Sequence, residues 1–262
     1  MHLHLFLIAL LELVLYKMLK SSEQYSFKPI GIIDSCFKEK FGIPRQPGLA
    51  AEARAVLKVF PPFDQMEAFK GLDDFSHIWI IFVFHSGMRD TWKATVRPPR
   101  LGGNRRTGVF ATRSGFRPNP IGISAVRLDR IIRENKETRL YLAGIDLMDG
   151  TPVLDIKPYL PYADAVSGAR GGFASHPPEA LVRVEFSPAA RDFCLEKENT
   201  GFPGLTLLIE QLLKMDPRPA YYASTDQKRH FGMKVYDFNV LWQIHEGAAY
   251  VTECHDTVAL PR

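Results

Sequence analysis

The sequence predicts a mainly β protein, in which a small antiparallel or mixed β-barrel is followed by a smaller C-terminal domain of α+β type. Strand-like segments succeed one another between residues 27 and 157 without a long helix between them, which is typical of a barrel and not of βαβ units. Residues 75–84 (FSHIWIIFVF) are a continuous apolar run rich in β-branched and aromatic residues, which predicts a strand buried on both faces. After residue 163 the composition changes, which indicates a linker or flap before a second domain.

Local patterning predicts each element of the barrel. Residues 27–35 are interpreted as a strand that Pro29 and Gly31 interrupt, and a long loop over 36–54 follows it. A short helix is expected over 64–72. The other barrel strands are expected at 55–60, 75–84, 107–112, 123–131, 138–146 and 152–157.

The C-terminal part mixes strands and helices. A strand over 181–186 precedes helices over 188–198 and 203–215, and two last strands, 231–245 and 248–255, form a hairpin with Glu246 and Gly247 at its bend. We therefore divide the chain into an N-terminal extension (1–26), a barrel domain (27–167) and a smaller C-terminal domain (168–262).

Composition sets broad limits on function. The chain has 262 residues, of which 46% are hydrophobic and 24% charged, as in an ordinary globular protein. Its net charge of +4 permits an anionic partner such as nucleic acid without requiring one. The cysteines, Cys36, Cys194 and Cys254, are far apart and form no CxxC motif, so we expect neither a disulfide framework nor a metal site, and we expect a reducing cytoplasm.

Residues 3–16 (LHLFLIALLELVLY) are strongly apolar but too short to span a membrane as a helix, and they contain Glu12. The segment also lacks the positive start and the small-residue cleavage site of a signal peptide. We favour Met18 as the natural first residue and expect no membrane partner; the competing interpretation is an interfacial anchor helix.

Residues 97–117 contain six arginines and no acidic residue. Prolines and glycines constrain the path of this segment, and guanidinium groups on a stiff frame suit bidentate capture of carboxylates and phosphates. The alternative interpretation is a basic, turn-rich surface. The chain contains no GxGxxG, GxxxxGK[ST], GxSxG or HExxH motif, so the common nucleotide-binding and hydrolase signatures are absent.

Seven motifs occur in a specific order over residues 27–163, and two more follow in the C-terminal part. They are GIPRQPG (42–48), LDDFSHIWI (72–80), FH (84–85), VRPPRLGGN (96–104), GVFATRS (108–114), FRPNPIG (116–122), DGTPVLDIKPYLP (149–161), DPRPAY (216–221) and YDFNVLW (236–242). In this combination the chain resembles the TsaA-like, YaeB-type β-barrel family, whose bacterial members are S-adenosylmethionine-dependent tRNA methyltransferases.

The resemblance implies a small barrel that holds S-adenosylmethionine, a homodimer with the methyl donor near the subunit interface, and a C-terminal domain that helps to hold the tRNA anticodon stem-loop. It implies methylation of the exocyclic N6 of threonylcarbamoyl-adenosine at position 37, next to the anticodon. Carried over by motif, the donor-binding residues are Pro44, Arg45, Gln46, His85, Ser86, Arg113, Ile123, Ala143, Gly144, Ile145 and Asp146. Ser86 stands where the motif leads us to expect glutamine.

These residue types suit the implied ligand. Arg45 or Arg113 can bind the carboxylate of the donor, whereas Asp146 or Gln46 can bind ribose hydroxyls. The general base, if the reaction uses one, stays open among His85, Asp146, Asp149 and Asp155.

RNA contacts are expected from Arg105, Arg106 and Arg117, and from Arg218 and Tyr221, although the last two could instead belong to a contact between the domains. Three tryptophans, Trp79, Trp92 and Trp242, are expected to be packing residues. The competing functions are a non-catalytic RNA-binding or S-adenosylmethionine-sensing module, and an enzyme that acts on a different substrate.

Overall fold

The structure is a computed structural model that describes residues 24–87, 91–177, 183–218 and 230–257. The apolar N-terminal segment with Met18, and Tyr221, therefore lie outside the described residues. No helix in these ranges is long and apolar enough to cross a membrane.

Six strands close into a barrel, in the order β1-β2-β7-β6-β3-β8, and every neighbouring pair is antiparallel. The predicted fold class is thereby confirmed. The barrel strands are β1 (Gly31–Ser35), β2 (Arg54–Val59), β3 (His77–Val83), β6 (Ile121–Glu134), β7 (Glu137–Ala143) and β8 (Pro152–Pro158). Between β3 and β6, the strands β4 (Thr95–Val96) and β5 (Thr107–Gly108) form a separate two-stranded ribbon.

Strand β3 is buried on one face and not on both, so that prediction was wrong. Ile78, Ile80 and Phe82 point into the barrel, while Trp79, Ile81 and Val83 are half-buried on the outside. A closed antiparallel barrel has one interior, which takes every second residue of each strand. The outer face is partly covered by a short helix, α1 (Pro161–Asp164), whose Asp164 carboxylate accepts a hydrogen bond from the Trp79 indole at 2.8 Å.

Two predicted elements of the barrel domain are shorter and tighter than expected. The helix expected over 64–72 is a pair of 3-10 turns, Met66–Phe69 and Leu72–Asp74, because Gly71 lies between them at φ 82°. The strand expected over 107–112 is β5 followed by the 3-10 turn Val109–Ala111. Two further 3-10 turns are Pro99–Leu101 and Gly172–Ala174.

The C-terminal part packs two helices against a four-stranded sheet of order β10-β11-β12-β9. Its elements are β9 (Arg183–Phe186), α2 (Pro188–Asn199), α3 (Leu205–Lys214), β10 (His230–Val235), β11 (Phe238–His245) and β12 (Ala248–Asp256). The strand predicted over 231–245 is two strands, since Tyr236 adopts φ 53° and the chain reverses there. The predicted bend at Glu246 and Gly247 is a two-residue turn with both φ angles positive, the geometry that a tight hairpin favours.

The C-terminal sheet supports the long loop after β1. The backbone N–H of Tyr236 donates to the carbonyl of Cys36 at 2.7 Å, and the Met233 side chain packs against Gly42. Gly42 adopts φ 90°, a conformation that L side chains rarely adopt. The two parts of the chain therefore share a continuous core, and the sheet fixes the start of the loop that carries the PRQ motif.

Candidate active site

A cavity of about 470 Å³ opens at one end of the barrel. Five segments meet there: the loops 40–46, 84–87, 112–117 and 146–151 and the start of β6. Its size lies in the range of roughly 300–1,000 Å³ that is usual for small-molecule sites.

Two phenylalanines form an apolar wall of the cavity. Phe82 and Phe84 meet edge to face with their ring centroids 5.0 Å apart. Gly122 lies against the Phe82 ring and Gly115 against the Phe84 ring, each so closely that a Cβ atom would clash. The glycines of the FRPNPIG and TRSGF segments are therefore what allows both rings to lie at the cavity.

The loop with the PRQ motif is fixed at both ends. Gly42 rests on Met233, and the Gly48 N–H donates to the carbonyl of Gly144 at 2.8 Å. Pro44 is buried between these anchors, while the Arg45 side chain is exposed at the cavity rim. These two contacts position the backbone that carries Arg45 and Gln46, although this segment is neither a helix nor a strand.

A second loop faces the first across the cavity. The Arg113 guanidinium donates to Oε1 of Gln46 at 2.6 Å, which joins the two loops directly. Hydrogen bonds within the second loop also stabilise it: the Thr112 hydroxyl donates to the Val109 carbonyl at 2.8 Å. Arg117 donates to the carbonyls of Thr112 at 2.9 Å and Ser114 at 3.2 Å. These contacts hold two guanidinium groups in fixed positions.

Asp146 is the one carboxylate among the described residues that line the cavity. It lies between the buried Ile145 and Leu147, and the Ser124 hydroxyl of β6 donates a short hydrogen bond to its Oδ1. Burial raises the pKa of Asp146 to about 6, although the Ser124 hydrogen bond and the charge of Arg113 act in the opposite direction. Asp146 can therefore exchange a proton near neutral pH.

The other charged side chains among the described lining residues are positive. Lys40, Arg45, Arg113 and Arg117 line it. Within the described residues none of the four forms an ion pair with a carboxylate. Such a site favours ligands that bring carboxylate or phosphate groups.

The sequence matches two family models that together span most of the chain. Residues 32–165 match the tRNA-methyltransferase O N-terminal domain, and residues 179–257 match the TrmO C-terminal domain. The chain belongs to the tRNA-methyltransferase O family.

Relatives of known sequence and structure agree with this assignment. The Escherichia coli tRNA (adenine(37)-N6)-methyltransferase is 47% identical over 220 residues, which cover 84% of this chain and 93% of that protein. A Pseudomonas aeruginosa protein with the provisional name S-adenosylmethionine-dependent methyltransferase RcsF is 52% identical over 83% of this chain and 92% of its own. The crystal structure of TrmO from P. aeruginosa superposes with a TM-score of 0.75 and 44% identity, over 89% of this chain and 99% of that one.

In this member of the tRNA-methyltransferase O family, the fold brings most of the predicted donor-binding residues together. Eight of them line the cavity: Pro44, Arg45, Gln46, His85, Ser86, Arg113, Ile123 and Asp146. Ala143, Gly144 and Ile145 do not line it. Ala143 and Ile145 are buried in the core, and Gly144 instead contributes backbone hydrogen bonds to Ala53 and Gly48.

Two of the candidate bases have other partners. Asp149 lies outside the cavity lining, accepts the Ser35 N–H at 2.9 Å and pairs with Lys38 at 3.1 Å. Asp155 pairs with Lys157 at 2.8 Å, as the alternation of these residues allows. His85 does line the cavity, but its side chain is exposed, and its ring lies beside Gly150.

The predicted RNA-contacting residues fall into four groups. Arg117 lines the cavity, and Arg105 and Arg106 are exposed outside it. Arg218 binds both carboxylate oxygens of Asp216 at 2.7 Å, and its side chain is only 10% exposed, so its charge is already paired. Tyr221 lies outside the described residues.

Sequence reasoning missed two features of this region. Ser124 is a buried polar residue in an otherwise apolar alternation on β6, and that exception was the available signal. Of the three tryptophans expected to be packing residues, Trp242 is fully buried and Trp79 half-buried, whereas Trp92 stacks on Phe110 but is 51% exposed. Among the described residues, no group of three or more His, Cys, Asp or Glu side chains could hold a metal ion.

Proposed function

We propose that this chain is an S-adenosylmethionine-dependent methyltransferase that methylates N6 of threonylcarbamoyl-adenosine at position 37 of tRNA. Its family and the names of its relatives support the coarser statement, methylation of N6 of adenine 37 in tRNA. One observation carries the finer statement: among the described residues, a single half-buried carboxylate and four cations line the cavity, and none of these cations has a carboxylate partner.

The cavity residues fit the proposed methyl donor. Phe82, Ile121 and Ile123 give an apolar surface for a flat base, and Arg45 and Arg113 give cationic groups for a carboxylate. Gln46 offers an amide for polar groups of the ligand, while its Oε1 holds the Arg113 guanidinium. When bound, the donor supplies an electrophilic methyl group on a sulfonium.

The excess of positive charge argues for a substrate base that itself bears a carboxylate. The amino-acid end of the donor has one carboxylate, which one arginine can bind in bidentate fashion. Lys40, Arg117 and whichever of Arg45 and Arg113 does not bind the donor carboxylate remain for other anionic groups. Threonylcarbamoyl-adenosine has such a carboxylate, whereas an unmodified adenosine offers only the flanking phosphates of the RNA backbone. The charge count of the cavity therefore favours the modified nucleoside.

Asp146 is proposed as the proton acceptor. The exocyclic N–H of the modified base lies between a purine ring and a carbamoyl group, which makes it more acidic than the amine of plain adenosine. A carboxylate with a pKa of about 6 is ionised at neutral pH and basic enough to take that proton. Ser124 orients the carboxylate, and Arg113 stabilises its negative charge. His85 is a weaker candidate because its side chain is exposed.

We also propose that the chain acts as a cytoplasmic homodimer. Ile121 and Ile123 are 40% and 47% exposed at the rim of the cavity, an arrangement that a partner subunit could cover. Sedimentation equilibrium of the wild type and of Ile123→Asp tests the dimer. The expected result is a dimer for the wild type and a weakened one for the variant, whereas a monomeric wild type would contradict it.

The decisive experiment measures methyl transfer from labelled donor to two tRNAs that differ only in the threonylcarbamoyl group at position 37. We expect label in the modified tRNA and, in nuclease digests, in its threonylcarbamoyl-adenosine. Equal labelling of both tRNAs would refute the finer substrate. Donor binding by calorimetry without transfer to any RNA would instead favour the non-catalytic sensing module.

A further inference from the structure

Trp92 and Phe110 form an exposed aromatic pair next to the cavity. Their ring centroids are 6.4 Å apart, and their planes are inclined by 28°. Trp92 is 51% exposed and Phe110 is 71% exposed. Exposing two large neighbouring aromatic rings to water is unfavourable, so a paired, exposed arrangement indicates a surface that binds something.

The backbone beneath the pair is held in place. The N–H of Val109, next to Phe110, donates to the Ala94 carbonyl at 3.0 Å. The N–H of Lys93, next to Trp92, donates to the Phe116 carbonyl at 3.1 Å. The buried Val109 side chain fixes the turn from the other side. The rings are thus presented by a braced frame, which lowers the entropy cost of binding.

The pair is directly connected to the cavity. The Arg117 guanidinium lies over the Phe110 ring, 5.9 Å from its centroid, and Arg117 also lines the cavity. The Lys93 ammonium lies 5.8 Å from the centroid of Phe116, another cavity residue. A ligand that reaches from the cavity over Arg117 therefore meets Phe110 and then Trp92.

The charge around the pair identifies the class of ligand. Residues 91–117 contain Lys93 and six arginines but no acidic residue. None of these cations forms an ion pair in the described part of the chain. A second copy of the same surface would be repelled, whereas a polyanion is attracted. Aromatic rings interleaved with cations are the combination that binds unpaired nucleotides, by stacking and phosphate contacts.

We propose that Trp92 and Phe110 form a stacking platform for an unpaired nucleobase that flanks the target nucleotide in an RNA loop. The proposal rests on the proposed function for the identity of the RNA, but the platform binds RNA whether or not methyl transfer follows. Arg105 and Arg106 contribute to affinity through phosphates without stacking.

The test measures binding of a fluorescein-labelled anticodon stem-loop with threonylcarbamoyl-adenosine at position 37, by anisotropy at fixed salt. Trp92→Ala and Phe110→Ala are each expected to weaken binding by about 5- to 150-fold. Trp92→Phe and Phe110→Tyr, which keep a ring, should stay close to wild type. Tyr162→Ala removes an exposed ring far along the sequence and is the matched control.

Abasic substitutions in the loop locate the stacked base. Replacing the base that stacks should weaken wild-type binding, and Trp92→Ala should add little further loss with that RNA. The slope of the logarithm of the RNA-binding constant against the logarithm of salt concentration should be unchanged in Trp92→Ala. It should be reduced in Arg105→Ala, which loses a phosphate contact.

Wild-type RNA affinity for both alanine variants overturns the proposal. If these variants bind RNA normally but lose self-association in sedimentation equilibrium, the pair belongs to a protein interface instead. If RNA binding falls as expected in the alanine variants but the wild type methylates no RNA, the stacking platform is supported and the proposed reaction is refuted.

Discussion

The hydroxyl of Ser124, on strand β6, donates a hydrogen bond to the carboxylate of Asp146, in the loop after strand β7. Ser124 is buried, and Asp146 lines the cavity between two buried neighbours. The hydrogen bond stabilises the ionised carboxylate while burial destabilises it, so the pKa of Asp146 reflects the balance of the two.

Asp146→Asn is expected to lower kcat by about 100- to 10,000-fold, because the variant keeps a similar shape but cannot accept the proton. The KM for tRNA and the affinity for the donor should change little. A variant that lost donor affinity with kcat intact would show instead that Asp146 binds ribose hydroxyls. Steady-state kinetics and calorimetry on the same sample separate the two outcomes.

The stability of the protein should depend on pH through Asp146. Its pKa in the folded state, about 6, lies above the ordinary value of 3.8, so the folded state binds the proton more tightly than the unfolded state. The stability that this provides is full below pH 3.8 and disappears as the pH rises through 6. Asp146→Asn, which is always neutral, should therefore gain stability relative to wild type between pH 4 and 7, by at most about 3 kcal/mol. Urea denaturation at several pH values measures the difference in unfolding free energy between the two proteins. A difference that does not change with pH would contradict this prediction.

Ser124→Ala should raise the pKa of Asp146 further, because it removes a hydrogen bond to the ionised form. In the wild type, we expect activity to fall as the pH drops below about 6. In Ser124→Ala this acid limb should lie at a higher pH, whereas a purely structural role would lower activity equally at all pH values. Ser124→Thr retains the hydroxyl and should restore the wild-type profile.

Arg113→Ala is expected to weaken binding of the methyl donor by about 10- to 100-fold, the size expected for loss of a charge-assisted hydrogen bond. Arg113→Lys should recover only part of the affinity, because an ammonium lacks the planar fork that also binds Gln46. Arg105→Ala, an exposed arginine outside the cavity, is the matched control. Calorimetric titration with S-adenosylmethionine distinguishes them, and equal losses in both alanine variants would refute a specific role for Arg113.

Gly122→Ala should destabilise the fold by about 1–3 kcal/mol, because the new methyl group would lie under 3.0 Å from three atoms of the Phe82 ring. Gly108→Ala is the control, since a methyl group there meets nothing within 4 Å and the φ of Gly108 is −59°. Thermal denaturation compares the two variants. Equal melting temperatures would mean that the Phe82 ring moves aside at no cost.

Much of the fold could be predicted because it depends on local patterns. Alternation and β-branched runs located the barrel strands, and the dipeptide Glu246-Gly247 located a hairpin bend. The predictions that were wrong concern elements whose burial depends on tertiary contacts. The outer face of β3 is covered only in part, so Trp79 packs under Asp164 and is not enclosed in a core.

The sequence by itself determined the family and eight of the residues at the cavity, because ordered motifs with constrained prolines and glycines specify the loops that carry them. Only the tertiary structure decided which carboxylate lies at the site. Asp146 and Asp149 are three positions apart, yet one meets Ser124 in the cavity while the other pairs with Lys38 outside it. Only the tertiary structure also decided that Trp92 is exposed. Burial and pairing arise between segments distant along the chain, and no local pattern encodes them.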